Sequence, residues 1–147
     1  MCERIILVYP PKIEGTAGSS GDISLSLLYL AGAVRDICND INIFDFNAPL
    51  GKGKTSEDLL NLIREKKDVN TIIGFNCLFS ALFPGLRKIA KEIKKEFPET
   101  KIVAGGMHPT LFAKDIINNC EEIDAVVVGE GDVSFPELVK YFYGGGT

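Results

Sequence analysis

The sequence predicts a single doubly wound α/β domain, a five-stranded parallel sheet with helices on both faces. Two observations lead there. Short apolar runs bounded by turn residues alternate five times with longer stretches of three- and four-residue periodicity, the mark of successive βαβ units. Most of those runs are rich in Val and Ile and do not alternate apolar with polar, as strands covered on both faces require. The length of 147 residues and the balance of 46% apolar to 24% charged residues fit one folded domain and exclude the disordered class.

The elements follow in order. The first strand is read over Arg4–Val8 and runs into Pro10-Pro11; the first helix spans Ser24–Ile37. The second strand, Ile41–Phe46, leads to a helix over Ser56–Lys67, whose acidic Glu57-Asp58 suit a helix N-terminus. The third strand, Thr71–Phe75, precedes a helix over Leu82–Phe97 with Pro84 in its first turn and Pro98 as its stop. The fourth strand and helix are Lys101–Ala104 and Thr110–Asn119, and the fifth are Ala125–Val128 and Pro136–Tyr143. In each helix apolar residues recur at helical spacing.

In such Rossmann-like or flavodoxin-like sheets, ligands bind at the carboxyl ends of the strands, where the strand order reverses. That rule selects the loops Tyr9–Ile23, Asn47–Thr55, Asn76–Ala81, Gly105–Thr110 and Gly129–Ser134, which hold nearly all the glycines. The net charge of −4 gives no basic footprint for nucleic acid or anionic lipid, so a small molecule is the expected partner. The four cysteines, Cys2, Cys38, Cys77 and Cys120, lie more than thirty residues apart, and no pair has the spacing of a zinc or iron–sulfur site. The opening residues are too short for a signal peptide and no apolar run approaches a membrane span, which predicts a cytoplasmic protein.

Several nucleotide-binding motifs are approached and missed. Ala48-Pro49-Leu50-Gly51-Lys52-Gly53-Lys54-Thr55 satisfies a relaxed phosphate-loop pattern, but it follows the second strand and no later strand ends in the aspartate that Mg²⁺ chemistry wants. Gly15-Thr16-Ala17-Gly18-Ser19-Ser20-Gly21 resembles the FMN-phosphate cradle of flavodoxins, displaced from its strand by Pro10 to Glu14. A phosphoacceptor receiver needs acidic residues, an aspartate and a lysine where this chain has Tyr9, Asn76 and Gly129. No GxGxxG follows the first strand. His108 is the only histidine, set between Gly105-Gly106 and Pro109, and Asp45 and Glu130 point to the crevice edge. Nothing forms a nucleophile, base and orienter set.

Gly105-Gly106-Met107-His108-Pro109-Thr110 and Val127-Val128-Gly129-Glu130-Gly131-Asp132, taken together, resemble the N-terminal cobalamin-binding domain of B12-dependent radical SAM proteins. Tyr9-Pro10-Pro11 resembles that family's opening, and Leu25 to Ala31 its first helix. In the wider cobalamin-binding family a Ser-x-Leu after the third strand and a Gly-Gly after the fourth line the slot for the corrinoid's nucleotide tail. Asn76-Cys77-Leu78 and Gly105-Gly106 stand at those places, with Asn76 replacing the serine. The Asp-x-His-x-x-Gly loop that carries cobalt's lower histidine ligand in mutases and methionine synthases is missing after the first strand.

The resemblance implies cobalamin held base-off, with no protein histidine on cobalt and no other metal ligand in the chain. The residues it assigns to the cofactor are Pro10, Pro11, Asn76, Cys77, Leu78, Gly105, Gly106, His108, Pro109, Thr110, Gly129, Glu130 and Gly131. His108 is expected to hydrogen-bond near the corrin rim or tail. Residues 1–143 would form the cobalamin-binding domain, and 144–147 the start of a linker to a radical SAM domain. That neighbour would bind S-adenosylmethionine and a [4Fe–4S] cluster in a methyltransferase or cyclase, so this chain is expected to orient the cofactor and catalyse nothing alone. Two other readings stay open: a stand-alone corrinoid carrier or sensor, and a flavodoxin-like FMN or P-loop nucleotide-binding domain.

Overall fold

The computed structural model describes residues 2–11, 25–46 and 55–144. The two glycine-rich loops that approach flavin and phosphate motifs, over 15–21 and 48–55, lie wholly or almost wholly outside those residues, as do 145–147.

Five strands form one parallel sheet: β1 (Arg4–Tyr9), β2 (Ile41–Asp45), β3 (Thr71–Asn76), β4 (Lys101–Gly105) and β5 (Ala125–Val126). Their order is β2-β1-β3-β4-β5. The chain moves outward from β1 to β2, then crosses back to β3 on the other side, so the order reverses between β1 and β3. Register aligns Leu7 with Gly74 and Gly74 with Val103, and one step on it aligns Val8 with Phe75 and Phe75 with Ala104. Successive side chains alternate between faces, so these two rows belong to opposite sides of the sheet.

Each face has its own core. Helices α1 (Leu25–Val34) and α6 (Gly131–Tyr143) cover the face of Ile5, Leu7, Ile72 and Val103 with Leu27, Val34, Phe135 and Val139. Helices α2 (Ser56–Arg64), α3 (Phe83–Glu96) and α5 (Ala113–Asn119) cover the face of Ile6, Val8, Ile73 and Ile102. Leu86, Ile89, Ala90 and Ile93 form the buried stripe of α3, each large aliphatic contributing about 1.5–3 kcal/mol of transfer energy.

Local chemistry explains the boundaries. Thr55, not Ser56, caps α2: its hydroxyl accepts from Asp58 N at 3.3 Å while Asp58 Oδ2 accepts from Thr55 N at 2.8 Å, a reciprocal capping box. At the other end of α2, the buried Arg4 guanidinium donates to the carbonyls of Leu62, Ile63 and Lys66 and to Thr71 Oγ1, tying β1 to that helix end; Ile63 O and Lys66 O also accept from Lys66 N and Val69 N.

The first two helices end three residues earlier than expected, at Val34 and Arg64, the third is a residue shorter at each end, and the last two depart further. The stretch expected as one helix over Thr110–Asn119 is two, α4 (Met107–Leu111) and α5, broken at Phe112 with φ −120° and ψ 26°. Pro109 is the third residue of α4, where its missing N–H would have had no helical partner, so the helix starts ahead of it. The last helix starts at Gly131, not at Pro136, and so contains that proline. Pro136 forgoes the bond to the carbonyl of Asp132, a residue exposed to water. Strand β5 is shorter than read, although Val127 N still donates to Ala104 O at 2.9 Å.

Candidate cofactor site

A cavity of about 450 Å³ opens at the carboxyl end of the sheet, between the strands and the helix pair α1 and α6. Small-molecule sites span roughly 300–1,000 Å³. Its floor is the row Leu7, Gly74 and Val103, and its side walls come from Tyr29 and Leu30 of α1 and from Gly131 and Phe135 of α6.

Two glycines let the walls of the cavity close up on the strands and loops beside them. Gly74 lies in the middle of a central strand, where a Cβ would stand 3.2 Å from Leu7 Cδ2 and 3.4 Å from Phe135 Cζ. A larger residue there would drive Phe135 and α6 off the sheet. At the rim, Gly106 has φ +107° and ψ −173°, backbone space open in practice to glycine alone. A Cβ at that position would lie 2.5 Å from the carbonyl oxygen of Cys77 and 2.9 Å from Asn76 Oδ1. The loops after β3 and β4 are thus pressed together, joined by Cys77 N to Gly105 O at 2.8 Å and His108 N to Cys77 O at 3.3 Å.

One polar atom in the wall is unsatisfied. Asn76, the last residue of β3, is 6% exposed and lines the cavity, and its Nδ2 is buried without a hydrogen-bond partner. A buried amide left so costs about 1–3 kcal/mol unless something occupies it. The N-terminus of α6 also opens here, and its first residue, Gly131, lines the cavity. Among the described residues its N-cap, Glu130, makes no side-chain capping hydrogen bond. Glu130 and Asp132 bring carboxylates to the mouth, suited to amide donors of a ligand. Thr110 ties α4 to the loop before α6, its Oγ1 accepting from Gly129 N at 3.0 Å.

The expected site residues divide into two sets. Asn76, Leu78, Gly105, Gly106, Gly129, Glu130 and Gly131 all line the cavity. Cys77 points into the opposite core, its Sγ 3.3 Å from Phe79 O and its thiol pushed up to about 12 by burial. His108 also lies away from the cavity lining: its ring stands between Phe83 and Phe112, with centroids at 4.6 and 4.8 Å, and Nδ1 is 2.8 Å from Ser80 Oγ. Burial holds its pKa below the ordinary value. Pro109 is buried, Thr110 acts through Gly129, and Pro10 is buried at the end of β1. Pro11 packs its carbonyl and ring against Gly85 of α3. Among the described residues no group of three His, Cys, Asp or Glu is placed to hold a metal ion.

The sequence reading missed Leu7, Ser26, Tyr29, Leu30, Gly74, Val103 and Phe135. Of these only Gly74 carries a signal in sequence, a lone glycine inside a strand otherwise built of large residues.

Comparison with known proteins agrees with this geometry. The family model described as B12 binding domain matches residues 22–139. An uncharacterised methyltransferase of Pyrococcus horikoshii is 36% identical over 141 residues, covering 92% of this chain and 28% of that protein. The chain spans about a quarter of the length of the curated relatives it matches. Among solved structures, the cobalamin-dependent S-adenosylmethionine radical enzyme OxsB, with aqua-cobalamin and S-adenosylmethionine bound, superimposes with a TM-score of 0.71 at 17% identity, over 97% of this chain and 19% of that one. The monomethylamine corrinoid protein of Methanosarcina barkeri gives 0.60 at 14% identity, over 92% and 56%. The two solved structures share the fold; the family match covers most of the sequence, and this chain belongs to the B12-binding domain family.

Proposed function

We propose that the chain binds cobalamin, with the nucleotide tail in the cavity beneath α1 and α6, and serves as the cofactor-binding domain of a radical SAM methyltransferase or cyclase. The observation that carries the reading is Asn76 Nδ2, a buried donor without a partner in the wall of a preformed slot. A nucleotide tail offers ring nitrogen, ribose and phosphate acceptors to such a donor.

Asn76, Gly74, Gly105, Gly106 and Gly131 would hold the tail, the glycines by letting backbone approach it closely. Bound cobalamin supplies methyl-transfer or radical rearrangement chemistry, and this chain's residues bind, orient and shield it. His108, held by Ser80 and two phenyl rings, serves the packing of α4, which favours a base-off corrinoid with no protein histidine on cobalt. S-adenosylmethionine and a [4Fe–4S] cluster would belong to a further domain of a longer protein, with residues beyond 143 leading toward it. Among the described residues no helix is long and apolar enough to cross a membrane.

The test is to soak the purified chain with hydroxocobalamin, desalt it and record the visible spectrum. Retention of a corrinoid spectrum is expected. A colourless protein that keeps FMN or ATP instead would overturn the proposal.

A further inference from the structure

At the opposite end of the sheet from the cavity, three residues before the regular ladder, Cys2 and Cys38 are partners in an isolated parallel β-bridge. Both are free thiols, both are buried, and both belong to the core under α1 and α6. Neighbouring strands run about 4.7–4.9 Å apart. That falls inside the Cα separation of about 4.4–6.8 Å that a disulfide spans. The bridge sets the two residues side by side near the Tyr143 hydroxyl; the Cys38 thiol donates to Asp40 O at 3.6 Å, and burial is the main reason the Cys2 thiol resists ionisation. Cys77 and Cys120 lie in the core on the other face, so the sheet separates them from this pair.

We propose that Cys2 and Cys38 form a reversible disulfide, a redox site at the pole of the domain away from the cofactor cavity. The oxidant is a small-molecule disulfide such as oxidised glutathione. One cysteine loses its proton and attacks a glutathione sulfur, expelling one glutathione thiolate. The other then displaces the second glutathione. Two protein S–H bonds are lost, one S–S bond forms, and the oxidant leaves as two thiols. The β1–β2 ladder itself begins at Ile5 and Ile41, so exposing the thiols needs the opening of a single bridge and not of the sheet. Cys38 follows α1, whose Ser26, Tyr29 and Leu30 form a wall of the cavity, and the crosslink would tie the trailing end of that wall to β1.

The experiment equilibrates the whole chain with oxidised glutathione, denatures it, alkylates free thiols and maps the peptides. The expected result is two alkylated cysteines, Cys77 and Cys120, and a crosslinked peptide containing Cys2 and Cys38 that dithiothreitol releases. Closing a loop of that length should raise the melting temperature by about 10 °C, and dithiothreitol should reverse it. Cys38→Ser is expected to lose both the crosslink and the shift; if that variant fails to fold, the peptide map of the unsubstituted chain decides alone. Four alkylated cysteines after oxidation, persistent glutathione adducts, or a crosslink involving Cys77 or Cys120 would overturn the proposal.

Discussion

Gly106→Ala and Gly129→Ala separate backbone strain from crowding at the rim of the cavity. Both glycines have positive φ, +107° and +79°, so an alanine at either place adopts an unfavourable backbone. At Gly129 that is the whole cost, since an added Cβ meets nothing within 4 Å, and about 1 kcal/mol is expected. At Gly106 the backbone region itself is restricted to glycine and costs about 1–3 kcal/mol. There the Cβ would also lie 2.5 Å from Cys77 O and 2.8 Å from Cys77 C, both backbone atoms that no rotamer change can move. Relief requires the β3 and β4 loops to part, loosening the Cys77 N to Gly105 O and His108 N to Cys77 O bonds, each worth about 0.5–1.5 kcal/mol. The sum is about 2–6 kcal/mol, or a fall in melting temperature of about 10 °C against a few degrees for Gly129→Ala. Urea denaturation of the three proteins side by side measures it. Equal losses for the two variants would refute the claim that the loops are in enforced contact at Gly106.

Asn76→Leu removes the unsatisfied donor from the wall, so the ligand-free variant should gain about 1 kcal/mol in urea while its hydroxocobalamin affinity falls about tenfold; an unchanged affinity by spectral titration counts against Asn76 as a tail contact. Cob(II)alamin on the protein is expected to give an EPR spectrum without nitrogen superhyperfine splitting, unaltered in His108→Ala, and a splitting lost in that variant would place His108 on cobalt. Stability should hold above neutral pH and fall in acid. Burial lowers the pKa of His108, so its contribution is complete above about pH 6.5 and is lost as the ring takes up a proton below that. Burial pushes the Glu122 carboxyl up, but Arg87, hydrogen-bonded at 2.6 Å, together with the residue's own backbone N–H and the charge of Lys91, outweighs it and holds the pKa below the ordinary carboxylate value; that contribution is complete above the unfolded value and is lost as pH falls through the folded one. Arg87→Met should lower the urea midpoint at pH 7 and flatten its decline in acid, and an unchanged acid limb would show that the pair does not set it.

The fold was legible because every strand but the last is an apolar run of five or six residues with punctuation at both ends. The glycine-bearing loops were legible too, since strand ends in a parallel sheet face one direction. Helix starts at prolines were not: Pro109 and Pro136 read as boundaries, yet one is tolerated in a first turn and the other in a helix whose carbonyl at Asp132 is open to water. The inner half of the cavity was hidden for a different reason. Leu7, Leu30, Val103 and Phe135 are ordinary core residues by type, and only the register that sets Gly74 between Leu7 and Val103 turns them into a lining. His108 drew attention through its position between Gly105-Gly106 and Pro109, but the short helix α4 turns its ring toward Phe83 and Phe112.

The two faces of the sheet differ in a way that argues for a ligand independently of any likeness. The face under α2, α3 and α5 is packed by large aliphatic and aromatic side chains. The face under α1 and α6 has a glycine in mid-strand, a proline inside one of its two helices and, at its carboxyl end, Gly106 at positive φ and an unsatisfied Asn76 amide. The mid-strand glycine, the helix proline and the unsatisfied amide each lower the stability of the ligand-free chain, and two of them, Gly74 and Asn76, border one cavity. A fold selected for stability alone would fill that space, as the opposite face does. Concentrating the losses around a slot makes sense if a ligand repays them on binding, because anything that binds only the native state stabilises it in proportion to its occupancy. An apolar floor, a wall residue with an unsatisfied amide and a helix N-terminus at the mouth are the features that the proposed nucleotide tail would meet there.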